Sequence, residues 1–397
     1  MSLRDSSFWS SFWTGRRALV VGSAAVILAA GASAAVLAGG GHAAHQHRTA
    51  GSGRPAHLAS STCTGPAGAA YIATAGYQAF DAVDTSNCSF VANYNVGDPQ
   101  VPGDSGDYNY VSSDQGVAIH GSTLYFADTG SNTVSVIDAG TLNPKDYNPA
   151  ETDIHVGFNP TDLAVSPDGS QLWVTDTGPQ TDSLLADIKV ISTASNTVTA
   201  TLTMPSAPEQ IVFSPSGATA YVTAADGLWV FDTATGHVAA VIHGLGDPHG
   251  VAVSPDGTTV YVTNTDDSQV DVIDAATDKV TGTIAVGQMP WGIAVSHDGG
   301  TVYVADINSD EVSVISTKTD TVTSSIPLSG GPDVLALTPD GSQLWVCGIT
   351  SAVLTVIDTK TLDTVGALNL GGDGANSGDG FDPTGIVLTS TPTPGGS

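Results

Sequence analysis

A short strand that opens with an aromatic residue occurs seven times in this chain of 397 residues, and it constrains the fold more than any other feature. A representative copy reads Tyr261-Val262-Thr263-Asn264, and successive copies are 40 to 54 residues apart. A repeat of about 40 to 45 residues is the length of one four-stranded propeller blade. The seven copies begin at Tyr71, Tyr125, Trp173, Tyr221, Tyr261, Tyr303 and Trp345.

Each copy lies in a longer unit with the pattern of four strands, as residues 250–286 show. An apolar strand precedes Pro255-Asp256-Gly257, a turn in which Gly is free to adopt positive φ. The aromatic strand follows, then Val270–Asp274, and a polar turn leads to a fourth strand at Val280–Val286. The alternation of apolar and polar residues predicts β-strands throughout.

The first unit lacks its opening strand, whereas Thr384–Leu388 has the pattern of an opening strand with no unit after it. We therefore predict an all-β, seven-bladed β-propeller of four-stranded antiparallel blades over residues 62–390. The C-terminal strand completes the first blade, which closes the ring and protects sheet edges that an open stack would expose.

The units resemble the YVTN-type β-propeller repeat, which is named for the strand seen here at Tyr261–Asn264. The resemblance covers residues 62–390 and implies the propeller fold. It implies much less about function, because this fold hosts enzymes, binding scaffolds and cell-surface proteins.

In related propellers the first strand of each blade lines the central channel, which here implies a ring of residues at the channel mouth. The ring position directly follows a proline in six blades, and its chemistry varies from unit to unit. We expect these side chains to converge on one ligand. They are Gln115, Thr161, Glu209, His249, Trp291, Asp333 and Thr384.

The aromatic strand ends on the same face, so Asp128, Asp176 and Asp306 are expected to form an acidic rim that favours a cationic ligand. Insertions at 97–113, 176–187 and 371–383 lengthen loops on this face, as binding faces of repeat proteins often show. A further insertion at 142–152 falls on the opposite face.

Bound Ca²⁺ is the one cofactor that the residues suggest. Asp306, Asn308 and Asp310 have the alternating oxygen spacing of a calcium loop, but Glu311 stands where a tight-turn Gly is usual. Asp, Asn and Gly are also the residues that tight turns select. Both interpretations stay open, and the sequence carries no Gly-x-Ser-x-Gly or His-Glu-x-x-His catalytic motif.

Two of the three cysteines, Cys63 and Cys88, fall in the blade that closes the ring, and we predict a disulfide between them. Loop-closure arguments assign such a bond about 2–4 kcal/mol. Cys347 lies in the interior strand of its blade and is expected to be a buried small residue.

The N-terminal residues have the pattern of a segment that directs export from the cytoplasm. Arg16-Arg17 precedes an apolar run over 18–38, and Ala32-Ser33-Ala34 resembles a cleavage site. Residues 1–38 are therefore an export signal, weakly similar to a twin-arginine signal, or an uncleaved membrane anchor. Residues 39–61 are expected to be a flexible Gly/Ala/His linker, and residues 391–397 a disordered tail.

The charge distribution of the chain restricts its possible binding partners. Of the 39 acidic residues all but one follow residue 61, where there are five lysines and no arginine. Such a chain repels nucleic acid. We expect a secreted or membrane-anchored monomeric scaffold that binds an extracellular protein or a small ligand, with the membrane reached only through the N-terminal segment. The alternatives are a lactonase-like or metal-assisted hydrolase and a structural surface-layer component.

Overall fold

A computed structural model describes residues 65–75, 79–95, 116–129, 131–140, 153–178, 186–349, 353–370 and 382–390. These residues belong to one compact unit, Ala56–Ser397. Within them, 28 strands form seven separate four-stranded sheets with antiparallel neighbours. The chain is a seven-bladed β-propeller, which confirms the fold predicted from the repeat.

Within each blade the four strands are numbered by their distance from the central channel, from the inner (first) strand to the outer (fourth) strand. The inner strands are β4 (Val117–His120), β8 (Pro160–Val165), β12 (Pro208–Phe213), β16 (Pro248–Val253), β20 (Pro290–Val295), β24 (Pro332–Leu337) and β28 (Asp382–Thr389). The second strands are β1 (Ala69–Ala75), β5 (Thr123–Asp128), β9 (Gln171–Asp176), β13 (Thr219–Ala224), β17 (Thr259–Asn264), β21 (Thr301–Asp306) and β25 (Gln343–Gly348). The third strands are β2 (Ala79–Asp84), β6 (Thr133–Asp138), β10 (Asp187–Ser192), β14 (Gly227–Asp232), β18 (Gln269–Asp274), β22 (Glu311–Ser316) and β26 (Val353–Asp358). The fourth strands are β3 (Ser89–Asn95), β7 (Ile154–His155), β11 (Thr197–Thr203), β15 (His237–Ile242), β19 (Lys279–Ala285), β23 (Thr321–Pro327) and β27 (Thr364–Asn369).

The C-terminal strand closes the ring, as the sequence predicted. β28 pairs antiparallel with β1, with Ile386 opposite Ile72, so the last strand of the chain is the inner strand of the first blade. β28 also contacts the inner strands β4 and β24 of the two neighbouring blades. β1 therefore has a hydrogen-bonded partner on each side, β28 and β2, and its edge is not open to another chain.

The hydrophobic core lies between blades, which explains the recurring aromatic strand. The aromatic residue that opens each copy is almost completely buried, and Tyr261 packs with Val302 and Val304 of the next blade. Second strands have neighbours on both faces and are therefore buried over almost their whole length. Fourth strands lie on the outside, where β11 and β19 present mostly exposed threonine and other small or polar residues.

The turn between first and second strands is built the same way in several blades. In Ser254-Pro255-Asp256-Gly257, the Ser254 hydroxyl donates to Asp256 Oδ1 at 2.6 Å, and the Thr258 amide donates to the same oxygen at 3.0 Å. Gly257 adopts φ +72°, a conformation that costs an L-residue about 1–2 kcal/mol. We call this end of the blades the turn end, and the opposite end, where inner strands begin, the cavity end.

Inner strands begin irregularly at the cavity end. Pairing with the second strand starts at a proline and resumes three residues later in four consecutive blades, for example at Pro248 and then Val251. The two residues between have no regular ladder partner. A bulge of this kind changes the direction of a side chain, and here the first bulged residue is the ring position.

Candidate functional site

Six of the seven predicted ring residues line a single cavity at the cavity end. They come from the inner strands of six different blades. The seventh, Gln115, lies outside the described residues. The ring residues that line the cavity are Thr161, Glu209, His249, Trp291, Asp333 and Thr384, and Gly116, Asp162, Gln210 and Val334 complete its wall.

His249 is the centre of the most distinctive contacts in this wall. Its Nδ1 forms an ion pair with Glu209 Oε2, and its Nε2 lies 3.5 Å from Asp247 Oδ2. The imidazole ring stacks on Trp291 with 3.6 Å between ring centroids and an interplanar angle of 22°. Three consecutive blades therefore join one acid, one histidine and one tryptophan in direct contact.

The surroundings of His249 determine its charge. The residue is 5% exposed, and this burial by itself lowers the imidazole pKa. The carboxylates of Glu209 and Asp247 more than offset that effect and raise the pKa to about 9. At neutral pH His249 is an imidazolium held between two carboxylates, so it is not available to accept a proton as a general base.

The cavity wall also contains residues that directly follow the ring position. These residues were not among those predicted from the sequence. Asp162 Oδ2 accepts the amide of Ile211 in the next blade at 3.0 Å, and Gln210 Oε1 accepts the amide of Val251 at 3.3 Å. Their side chains link neighbouring inner strands across the bulge. A sequence signal was present, because Asp162 and Gln210 occupy the same position in successive repeats.

The predicted acidic rim requires correction. Asp128, Asp176 and Asp306 are each no more than 2% exposed, and none of the three lines the cavity. They accept hydrogen bonds inside their own blades: Ser131 donates its hydroxyl to Asp128, Gly178 its amide to Asp176, and Ser313 its hydroxyl to Asp306. These carboxyl groups build loops, and the acidity of the cavity comes from Asp162, Glu209 and Asp333 instead.

Burial changes the chemistry of these loop carboxyls. It raises the pKa of Asp306 to about 7 and that of Asp176 to about 6, although hydrogen bonds from Ser313 and Gly178 act in the opposite direction. Asp271, which accepts from Asn264 and Gln269, is raised to about 6 for the same reason. At pH 7 the Asp306 carboxyl is therefore about half ionised, whereas Asp176 and Asp271 are still about nine-tenths ionised.

The proposed calcium loop is folded around other contacts. Ile307–Ser309 form a short 3₁₀-helix, Asp306 Oδ2 accepts from Ser313 at 2.6 Å, and Asp310 Oδ1 accepts the Gly331 amide at 3.0 Å. The Asn308 amide donates to the Gln288 carbonyl. Over the described ranges, no group of three or more His, Cys, Asp or Glu side chains is arranged to hold a metal ion. Calcium binding here stays a prediction.

The cysteines fall into two kinds, one disulfide-bonded and one free. Cys88 is disulfide-bonded, but its predicted partner Cys63 lies outside the described residues, so the pairing stays a prediction. Cys347 is a free, fully buried thiol. Burial, with Asp333 and Asp81 nearby, raises its pKa well above the usual thiol value, so it is a structural and unreactive cysteine.

Several predictions concern residues that the structure does not describe, namely the segments 1–38, 39–61 and 391–397 and most of the four insertions. In the described part of the chain no helix is long and apolar enough to span a bilayer.

Fold and site together define a seven-bladed β-propeller with an acidic cavity where its inner strands begin. No protein-family model matches the chain, and no curated protein matches it either. The likeness to YVTN-type repeats therefore rests on the repeated strand itself.

Solved structures share the fold. A functionally unknown protein from Desulfotomaculum acetoxidans superposes with a TM-score of 0.65 at 16% identity, over 82% of this chain and 99% of that one. Hydrazine synthase from Kuenenia stuttgartiensis gives 0.61 at 20% identity, covering 80% and 99%. The dihydro-heme d1 dehydrogenase NirN, solved in complex with DHE, gives 0.56 at 14% identity, covering 82% and 75%. At these identities the likeness shows the fold alone.

Proposed function

We propose that this propeller is an exported binding scaffold that takes a small organic cation, such as an amine or quaternary ammonium compound, in the cavity at its inner strands. The observation that carries the proposal is the convergence of six inner-strand side chains on one cavity, with the Glu209–His249–Trp291 contact at its centre. Export rests on the pattern of residues 1–38.

Charge supports a cationic ligand. Asp162, Glu209 and Asp333 line the cavity, and among the described residues of its wall there is neither lysine nor arginine. The positive charge of His249 is balanced by Glu209 and by Asp247 behind it. A bound cation meets a net negative potential in a partly enclosed space, where Coulombic attraction is stronger than in water.

The convergence of the lining supports a small ligand, because side chains from six blades meet around one cavity. Trp291 provides an aromatic surface next to the carboxylates, and such surfaces attract ammonium groups. For the hydrolase alternative a general base is needed, and the protonated state of His249 at neutral pH argues against that role.

A ligand screen on the purified propeller tests the proposal. Tetramethylammonium, choline and 1,4-diaminobutane serve as cationic probes, with succinate as the anionic one, and binding is measured by thermal shift and calorimetry. A ligand that binds only the folded state raises the melting temperature in proportion to its affinity. We expect stabilisation by at least one cation and none by succinate.

Matched variants distinguish cation binding in the cavity from cation binding to the acidic surface of the chain in general. Asp333→Asn and Glu209→Gln each remove one carboxylate from the cavity. Asp363→Asn makes the same charge change at an exposed site in the turn between β26 and β27. Cation binding should weaken about tenfold or more in the first two, which corresponds to roughly 1.4 kcal/mol, and be unchanged in the third. Equal weakening in all three variants would mean that cations bind only to the diffuse charge.

A further inference from the structure

Three buried threonines connect neighbouring blades directly beneath the cavity. Thr175, Thr223 and Thr263 occupy the same position in consecutive second strands, and each is 0% exposed. Each hydroxyl donates to the main-chain carbonyl of the ring residue in the following blade. The bonds run from Thr175 to Glu209 at 3.0 Å, from Thr223 to His249 at 2.7 Å and from Thr263 to Trp291 at 2.9 Å.

The same three hydroxyls also accept a hydrogen bond from the inner strand of their own blade. The amides of Asp162, Gln210 and Gly250 donate to them at 2.9, 3.0 and 2.7 Å. Each of these amides belongs to the residue just after a ring position. One hydroxyl therefore joins two inner strands at the two points where both approach the cavity.

The bulge at the start of the inner strands β8, β12 and β16 gives these hydroxyls their role. Between Pro208 and Ile211, and between Pro248 and Val251, the ladder to the second strand is interrupted. The buried main-chain groups of the bulged residues need partners other than the ladder, and leaving such a group unsatisfied is costly. The threonine hydroxyl, which both donates and accepts, satisfies a carbonyl of one blade and an amide of another.

Other blades have no hydroxyl at this position. Four residues occupy it there and all are buried, namely Ala73, Ala127, Ala305 and Cys347. The ring residues that follow those blades are Gln115, Thr161, Asp333 and Thr384. The threonines thus support one continuous arc, Glu209, His249 and Trp291, in which His249 forms an ion pair with Glu209 and stacks on Trp291.

We infer that Thr175, Thr223 and Thr263 are positioning residues, which fix the main chain of Glu209, His249 and Trp291 and thereby hold the acid, the imidazole and the indole in contact. The inference depends on the proposed function only in treating the cavity as a binding site. The sequence shows the same distinction at the third residue of the aromatic strand. This residue is Thr in the blades that precede Glu209, His249 and Trp291, and Ala or Cys in the other blades.

The test replaces the hydroxyl and observes His249 in the ligand-free protein. Thr223→Ala uses a residue that three other blades already carry at this position, and Thr223→Ser keeps the hydroxyl. Histidine-selective labelling allows the His249 ring signals to be followed by NMR from pH 6 to 10, with His249→Gln identifying them. Two quantities are read: the midpoint of the titration, and the ring-current shift that stacking on Trp291 produces.

We expect Thr223→Ala to move the His249 midpoint to lower pH, because the ring loses its fixed distance to Glu209, and Thr223→Ser to restore it. Thr263→Ala, which releases Trp291, should reduce the ring-current shift. Thr199→Ala is the matched control, because Thr199 also donates to a main-chain carbonyl, that of Val190, but lies on the outer strand β11. It should leave both quantities unchanged.

An unchanged midpoint in Thr223→Ala together with an unchanged ring-current shift in Thr263→Ala, both in folded protein, overturns the inference. So does an equal change in Thr199→Ala. Should Thr223→Ala fail to fold, Thr263→Ala and Thr223→Ser still give a decision, since the first must alter stacking and the second must match the unsubstituted protein. All readings are made without ligand, so a failed ligand screen and a failed titration test have separate meanings.

Discussion

Two aspartates at opposite ends of strand β21 differ in burial and in pKa. Asp298 lies just before β21, in the turn end, and Asp306 is the last residue of the same strand, at the cavity end. Asp298 is exposed, and hydrogen bonds from the Ser296 hydroxyl and the Gly300 amide lower its pKa. Asp306 is 0% exposed, and burial raises its pKa to about 7.

This contrast recurs around the ring. At the turn end Asp168, Asp256 and Asp340 also have lowered pKa values, whereas Asp176 at the cavity end has a raised one. Both ends use aspartate to fix a loop through short hydrogen bonds. The difference teaches that an acidic residue repeated at a strand end indicates a loop of defined shape, and that its charge follows from how deeply the loop is covered.

The largest expected effect is on the pH dependence of stability. Asp176, Asp271 and Asp306 have pKa values raised from 3.8 to about 6, 6 and 7, so their contribution is complete below about pH 3.8 and is lost as pH rises through 6 and 7. His249, raised from 6.5 to about 9, contributes below 6.5 and loses that contribution as pH rises through 9. Turn-end Asp168, lowered to about 2, acts oppositely and loses its contribution as pH falls from 3.8 towards 2.

Stability should therefore be greatest near pH 4 and fall by on the order of several kcal/mol towards pH 9, since each unit of pKa difference corresponds to about 1.4 kcal/mol. Calorimetric melting from pH 3 to 9 at high salt measures this. Asp306→Asn, which stays neutral, should flatten the fall between about pH 4 and pH 7. A melting temperature that rises from pH 5 to 9 contradicts the assignment of buried, raised carboxyls.

A smaller effect is expected when the two aspartates of blade β20–β23 are exchanged for alanine. Asp306→Ala leaves the Ser313 hydroxyl without its buried acceptor, and we expect a loss of about 2–3 kcal/mol. Asp298→Ala, in an exposed turn, should cost much less. Urea denaturation of both variants gives the comparison, and equal losses at the two ends would show that burial does not distinguish them.

The smallest expected effect concerns the turn-end glycine. Gly257 adopts φ +72° with Pro215 at ordinary contact distance, so the cost of a side chain there is set by the backbone and not by a clash. Gly257→Ala should destabilise by about 1 kcal/mol, and Gly257→Asn by less, because asparagine tolerates this conformation. Denaturant midpoints for the pair test this, and an asparagine variant less stable than the alanine variant contradicts it.

Much of the fold followed from the sequence because its signals are local. The aromatic strand gave the blade count, the Pro-Asp-Gly turns marked where strands begin, and the unpaired strand at Thr384–Leu388 predicted closure. Ring positions could be located because a proline recurs directly before the ring position in six of the seven repeats. The exposure of Asp128, Asp176 and Asp306 was not predictable in this way, since it depends on how loops of the same blade cover the strand end.

The sequence by itself determined the seven repeats, their strands and turns, and which residue of each unit begins the inner strand. Only the tertiary structure decided which polar groups meet: Glu209, His249 and Trp291 are about 40 residues apart in the chain and come into contact because neighbouring blades converge at the channel. It also decided which acids keep their charge. Periodicity is set by hydrogen bonding within one blade, whereas burial, pKa and side-chain contact depend on the neighbouring blades and on the loops that cover them.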